Sequence, residues 1–400
     1  GATALAAGAT VVAAALAPTP PETPGEIELL STANALIMAG TDMHVVDQAW
    51  MDMAIDGYIR PSLGGDYTGI PVVTPAQFWP FGGPDDMIFD LSVAGGTDVI
   101  GAAIGAAKDP PVVFGYSQSA VIATATKRRL AERSAAGDTI APVSFVMLAN
   151  LNRPNGGLNA RFPGAFIEEL GWTFSAAAPT DTGFTTVDVA RQYDLFADFP
   201  RYPLNLIADV NAVVALFYGA HDYSNVTLNP ADPRYDPNTV VEQFGDTTYY
   251  FIPTATLPLL RPLRDLGVDP LMLDAVEPAM RVLVEFGYDR STSFGQPTGA
   301  QLIPRENFDQ LGRDLGVAIN QGRAILESAA ADSPQKTSVQ PAQRRATDPS
   351  LRRGNLPDKA SSLTEPAPAA QSARAGSAAT RKSVAPKPRA AEVAASRLLR

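Results

Sequence analysis

The chain of 400 residues has no cysteine and only two histidines. The first absence excludes disulfides, thiolate-bound metals and a cysteine nucleophile. The second excludes a metal centre built on three imidazoles and leaves His44 and His221 as the entire supply of imidazole for acid–base work. Positive charge is scarce outside one end. Residues 331–400 hold 13 Lys and Arg against 5 Asp and Glu, so +8 of a net −11 sits there and the remainder carries −19. An acidic body does not suit a phosphate backbone, which excludes nucleic acid as a partner. There is no phosphate-binding glycine loop, nucleotide motif or cluster of metal-ligand residues, so neither a metal nor an organic cofactor is expected. Asp85-Asp86 reads as solvated loop charge.

The two ends differ from the body. Gly1–Ala17 is uncharged and mostly Ala, Val, Leu and Gly. It reads as the later part of a signal sequence or membrane anchor, which implies export, anchored or secreted. As a helix, seventeen residues at about 1.5 Å each span about 26 Å, slightly short of a bilayer core. Residues 18–28 carry Pro18, Pro20, Pro21 and Pro24 and read as a stiff linker. Residues 331–400 lack Phe, Tyr and Trp and are rich in Ala, Pro and Ser. They cannot bury a core and are expected to form a disordered basic tail, suited at most to weak contact with anionic polymer or lipid headgroups.

Residues 29–330 form the folded domain. Short apolar runs at 33–39, 69–73, 111–114 and 143–148, with an alternating run at 185–193, read as strands. Helical stretches at 45–59, 93–107 and 118–133 separate them. Strands alternating with helices predict an α/β fold with a mostly parallel sheet covered on both faces. Residues 253–288 carry a dense load of Leu, Met and Val among prolines. They are expected either to pack against the sheet or to form a helical cap that makes an acyl pocket. A last amphipathic helix over 303–330 should present Leu311, Leu315, Ala318 and Ile319 on one face.

The chemistry concentrates in Phe114-Gly115-Tyr116-Ser117-Gln118-Ser119-Ala120. A strand, a sharp turn and a helix in succession are the setting in which G-x-S-x-G works as a nucleophile elbow. Gly115 and Ser119 are small, as the crossing requires, although Ser119 stands where the usual motif has Gly. The turn projects the Ser117 hydroxyl above the sheet. The alternative is a serine that merely caps a helix. A serine hydroxyl needs a base. In this type of fold the order along the chain is Ser, acid, His, which favours His221 over His44. The acid should follow a strand, where α/β sites lie. Asp194 fits first and Asp198, four residues on, is its rival; Asp222 beside His221 suits a local role. The oxyanion needs preorganised amides. One is that of Gln118, and the second belongs to Thr41 or Asp42 in the loop after Gly40. An imidazole base accepts a proton only when neutral, so activity should fall on acidification.

These residues, together with Ala39-Gly40-Thr41-Asp42-Met43, Tyr193-Asp194-Leu195-Phe196-Ala197-Asp198-Phe199-Pro200, Tyr249-Tyr250-Phe251-Ile252-Pro253-Thr254, Leu257-Pro258-Leu259-Leu260-Arg261-Pro262-Leu263 and Gly287-Tyr288-Asp289-Arg290, resemble the PE-PPE domain of mycobacteria over about residues 30–325. That family is similar to cutinases and other serine α/β hydrolases. The resemblance implies an α/β-hydrolase fold, a mycobacterial envelope setting, and esterase activity on acyl esters, with Ser117, Asp194 and His221 matching its triad. The apolar start in place of a helical PE or PPE domain looks more like the stand-alone, membrane-anchored members that transfer acyl chains between trehalose glycolipids. Two further readings fit the residues: a catalytically silent hydrolase scaffold that binds envelope lipid or a partner protein, and a surface-interaction protein acting through its basic tail.

Overall fold

The computed structural model describes residues 33–302, 304 and 308–332. The expected leader, the linker and the basic tail beyond residue 332 lie outside the described residues. The strands are β1 (Ala33–Ile37), β2 (Tyr67–Pro71), β3 (Val112–Tyr116), β4 (Ser144–Leu148), β5 (Phe166–Ile167), β6 (Trp172–Thr173), β7 (Thr186–Arg191), β8 (Val240–Phe244) and β9 (Thr247–Ile252). Seven of them form one sheet in the order β2-β1-β3-β4-β7-β9-β8, while β5 and β6 make a small antiparallel pair. Every pairing in the large sheet is parallel except that of β8 with β9.

The helices are α1 (Gln48–Ala54), α2 (Arg60–Leu63), α3 (Phe89–Ala106), α4 (Gln118–Ala135), α5 (Leu158–Arg161), α6 (Leu206–Phe217), α7 (Arg261–Asp265), α8 (Pro270–Glu285) and α9 (Phe308–Asp332). Both faces of the sheet are covered. Phe114, Val146 and Leu148 pack with Met51, Ile55 and Tyr58 on one side. Val113, Phe145 and Met147 pack with Ile100, Ile122 and Ala123 of α3 and α4 on the other. Burial on both faces accounts for apolar runs without alternation.

The first helix starts later than its apolar pattern suggests. Asp47 accepts from the Trp50 amide at 2.9 Å and so caps α1. A π-helical turn over Ile55–Ile59 then joins α1 to α2. The sequence reading missed α6 and the β8–β9 hairpin. For 253–288 it offered packing against the sheet or a helical cap. Leu257, Leu260, Val284 and Tyr288 are buried with Tyr193 and with Ala208 and Ala215 of α6, and α8 runs along α9. The aliphatic load thus goes into a helical layer, because α6 and α9 supply surfaces for it. A pocket of about 640 Å³ lies between α8 and α9, lined by Glu277, Arg281 and Glu285 among others. None of Ser117, Asp194 and His221 lines it. On α9 the contact face runs through Leu311, Leu315 and Ala318, whereas Ile319 is exposed, which corrects its expected place on that face. Among the described residues no helix is long and apolar enough to cross a membrane.

Candidate active site

The elbow begins where β3 meets α4. Ser117 has φ 57° and ψ −118°, a left-handed conformation that a side chain adopts at a cost of about 1–3 kcal/mol. The surroundings hold it there. A Cβ on Gly115 would stand 2.4 Å from the Ser119 carbonyl oxygen and 2.9 Å from the Ala120 nitrogen. Only glycine allows strand and helix to cross so closely. Ser119 does more than stay small: its hydroxyl accepts from the Tyr116 amide at 2.8 Å and donates to the Tyr116 carbonyl at 3.1 Å, closing the turn on itself. Ser117 makes no side-chain capping bond to the helix, so its hydroxyl is left for other partners.

That partner is His221. Ser117 Oγ lies 2.9 Å from His221 Nε2, and His221 Nδ1 lies 2.9 and 3.1 Å from the two oxygens of Asp194. The imidazole is slightly exposed while Asp194 is fully buried. Asp194 also accepts from the Phe196 amide at 3.0 Å and from the Tyr223 hydroxyl at 2.8 Å. Burial, reinforced by the nearby Asp194 charge, pushes the Tyr223 phenol well above its usual value. Tyr223 therefore stays protonated and acts as a donor. Phe196 stands beside the imidazole with ring centroids 4.7 Å apart, at the edge of an aromatic cluster that includes Phe78, Phe89 and Trp172.

The remaining sequence candidates separate clearly. Asp198 receives both arms of Arg290 at 2.6 and 3.0 Å and the Tyr193 amide at 2.8 Å. It holds the turn that carries Asp194, in which Tyr193 has φ 70°. Asp222 caps the turn after the histidine, accepting from Ser224. His44 is half-exposed and 3.4 Å from Asp42, with no described contact to Ser117 or Asp194. Gly40 lies close against the elbow: a Cβ there would be 3.0 Å from the Tyr116 ring and 3.4 Å from Ser117 Cβ. The loop that follows it thus passes beside the nucleophile. The structure corrects one oxyanion candidate, because the Asp42 amide donates to the Ala76 carbonyl at 2.8 Å and is already committed. Thr41 and the Gln118 amide remain. The Gln118 side chain is buried and locked, donating to the Gln77 carbonyl at 2.7 Å and accepting from Ser92 at 3.2 Å.

Two positioning residues, Tyr223 and Arg191, escaped the sequence reading, and a third, Tyr116, was expected only as part of the elbow. Tyr223 accepts from the Arg191 amide at 2.9 Å while donating to Asp194. The Arg191 guanidinium gathers the histidine loop, donating to the carbonyls of Gly219 and Asp222 at 2.7 and 2.6 Å and to Asn225 Oδ1 at 2.9 Å. Tyr116, within the elbow itself, donates its hydroxyl to the His221 carbonyl. The one available signal was proximity in sequence, since each lies within three residues of a candidate site residue.

Comparison with known proteins agrees with this architecture. A family profile described as the PE-PPE domain matches residues 65–289. The protein named Esterase PE16 of Mycobacterium tuberculosis (strain ATCC 25618 / H37Rv) is 41 % identical over 283 residues, covering 68 % of this chain and 51 % of that protein. This chain therefore spans about half the length of that relative. Two proteins of the same strain are named acyltransferases. The SL1278 acyltransferase Chp1 is 31 % identical over 270 residues, 65 % of each chain. The diacyltrehalose acyltransferase Chp2 is 27 % identical over 333 residues, 78 % of this chain and 90 % of that one. With more than half of its length matched by the profile, and its mostly parallel sheet flanked by helices, the chain belongs to the PE-PPE domain family.

Proposed function

We propose that the protein is a serine esterase or acyltransferase acting on acyl-ester lipids of the mycobacterial envelope, and that it moves acyl chains between acylated trehaloses. The observation that carries this reading is the Ser117–His221–Asp194 chain of hydrogen bonds at an elbow. The names of its relatives, an esterase and two acyltransferases, support the reaction class. Of these, the diacyltrehalose acyltransferase supports the glycolipid substrate.

In this reading Ser117 Oγ attacks the ester carbonyl as His221 Nε2 takes its proton. Asp194 orients the ring and stabilises the imidazolium. Charge gathering on the carbonyl oxygen meets the Gln118 amide, at the positive end of α4, and the loop at Thr41. The C–O bond to the leaving alcohol breaks and the imidazolium returns the proton to that alcohol, leaving an acyl group on Ser117. A second alcohol then gives up its proton to His221 and attacks the acyl-enzyme; the acyl–Oγ bond breaks, the new ester leaves and His221 returns the proton to Ser117. A sugar hydroxyl in that role makes a transferase, and water makes a hydrolase.

The test is mass spectrometry of the products formed from a diacylated trehalose, with Ser117→Ala alongside. More highly acylated trehalose accompanied by deacylated trehalose, absent in the variant, is the expected result. Free fatty acid alone assigns hydrolysis. No product, together with no labelling of Ser117 by a fluorophosphonate, refutes the reading and leaves a lipid-binding scaffold.

A further inference from the structure

Helix α6 joins the segment bearing Asp194 to the loop bearing His221, and it is turned inside out. The face against the protein is small and partly polar: Ala208, Asn211, Ala212 and Ala215 are buried. The face toward solvent carries Leu206, Ile207, Val210, Val213 and Phe217, with Leu204 just before it, at 69, 38, 50, 44, 47 and 66 % exposure. Spacings of three and four residues put them in one stripe. This orientation is pinned. Asn205 caps the helix at Ala208 and donates to the Leu283 carbonyl at 2.8 Å, and Asn211 accepts from the Leu259 amide at 3.0 Å. Rotating the helix to bury its large side chains would break these bonds. Leu263, Leu266 and Val268, which follow the segment packed against α6, are exposed as well.

A contiguous exposed apolar stripe on a water-facing helix marks a surface that something covers. We propose that the outer face of α6 is the surface by which the protein docks onto an aggregated acyl lipid, with its hydrocarbon against the stripe and the Ser117 site beside it. This rests on the acyl-ester reading of that site. Three observations choose lipid over a protein partner. The stripe offers carbon only, and a protein interface needs about one hydrogen bond per 100–200 Å² whereas hydrocarbon needs none. Asp209 is the single charged residue in α6, and it is partly buried with Oδ1 enclosed and unpaired, so no ion pair is on offer from the stripe. At the end of α6, Tyr218 lies under the Arg261 guanidinium at 5.2 Å from its ring centroid and donates its hydroxyl to Asp265. An aromatic and a cation at the edge of an apolar stripe suit the level of lipid headgroups.

The absence of cysteine makes the test clean. Val210→Cys in the full chain is labelled with an environment-sensitive fluorophore and mixed with phosphatidylcholine vesicles. Lys108→Cys, exposed in the loop before β3 at the opposite end of the strands, is the control. Emission from position 210 should shift to the blue and brighten, and emission from position 108 should not. Equal responses, no response, or a response at 210 that grows with protein concentration before vesicles are added would overturn the proposal, the last by naming a second copy as the cover. The labelled Val210→Cys chain carrying Ser117→Ala should respond alike, so docking is read independently of chemistry. A response without turnover in the Ser117-containing chain sinks the enzymatic reading alone, and turnover without a response sinks docking alone. As a second measure, replacing Leu206, Val210, Val213 and Phe217 by Gln should lower the ratio of turnover on emulsified to soluble ester about tenfold or more; an unchanged ratio also refutes the proposal.

Discussion

Replacing Tyr223 by Phe tests how the buried hydroxyl serves the acid of the site. The phenyl ring fills the same space, so no cavity forms. Two hydrogen bonds disappear: the donation to Asp194 at 2.8 Å and the acceptance from the Arg191 amide at 2.9 Å. A bond to a charged acceptor contributes about 1.5–3 kcal/mol and an orphaned amide costs about 1 kcal/mol or more, so a loss near 3 kcal/mol is expected. That corresponds to a melting temperature lower by about 5 °C for a domain of this size. The effect on activity follows from geometry. Asp194 accepts from the Phe196 amide and the Tyr223 hydroxyl while facing His221 Nδ1. Without the Tyr223 donor the carboxylate is held less firmly, the imidazole it orients is placed less well, and kcat should fall about tenfold or more. Tyr58→Phe is the control. Its hydroxyl donates to the carbonyls of Tyr223 and Val226 at 2.6 and 2.9 Å and touches neither Asp194 nor His221. It should lower the melting temperature and leave kcat nearly unchanged. Thermal melts and turnover of both variants on a soluble ester decide the matter. An unchanged kcat in Tyr223→Phe refutes the coupling.

Four further outcomes are expected. Asp194→Asn should keep the fold and lower kcat by about 10³–10⁴-fold, because the imidazole loses its orienting charge. Asp198→Asn should instead destabilise by about 1.5–3 kcal/mol, since buried Asp198 loses its charged, bidentate bonds to the partly exposed Arg290. Melting curves and turnover on one ester separate the two, and the reverse pattern would exchange their roles. Burial raises Asp209 to about 6 from 3.8, so the folded chain holds that proton more tightly than the unfolded chain and ionised Asp209 opposes folding above about 6. Asp209→Asn should therefore raise the melting temperature at pH 8 by about 1–2 °C, or ~1 kcal/mol after allowing for partial exposure, with the gain vanishing near pH 4. Gly115→Ala should open the elbow, because the added methyl meets the Ser119 backbone at 2.4 Å; a loss of about 3 kcal/mol and of fluorophosphonate labelling at Ser117 is expected.

The elbow was legible in the sequence because a strand, a tight turn and a helix are settled by residues a few positions apart. Gly115, Ser117 and Ser119 interact within that reach, and so does the helix that begins at Gln118. The alternation of apolar runs with helical stretches likewise announced a parallel sheet buried on both faces. With two histidines in the whole chain, the choice of base was already narrow. Tertiary structure decided what depends on partners far along the chain. Asp194 and Asp198 are four residues apart in similar surroundings, and the difference between them comes from His221 facing one and Arg290, 92 residues away in sequence, holding the other. The Asp42 amide is occupied because the fold brings Ala76 to it. Leucine-rich residues 253–288 form a packed flank because α6 and α9 lie against them, and α6 turns its large side chains outward because Asn205 and Asn211 find partners inside. Local conformation follows from neighbouring residues, whereas the choice among equivalent donors, acids and apolar faces follows from which loops the order of the strands brings together.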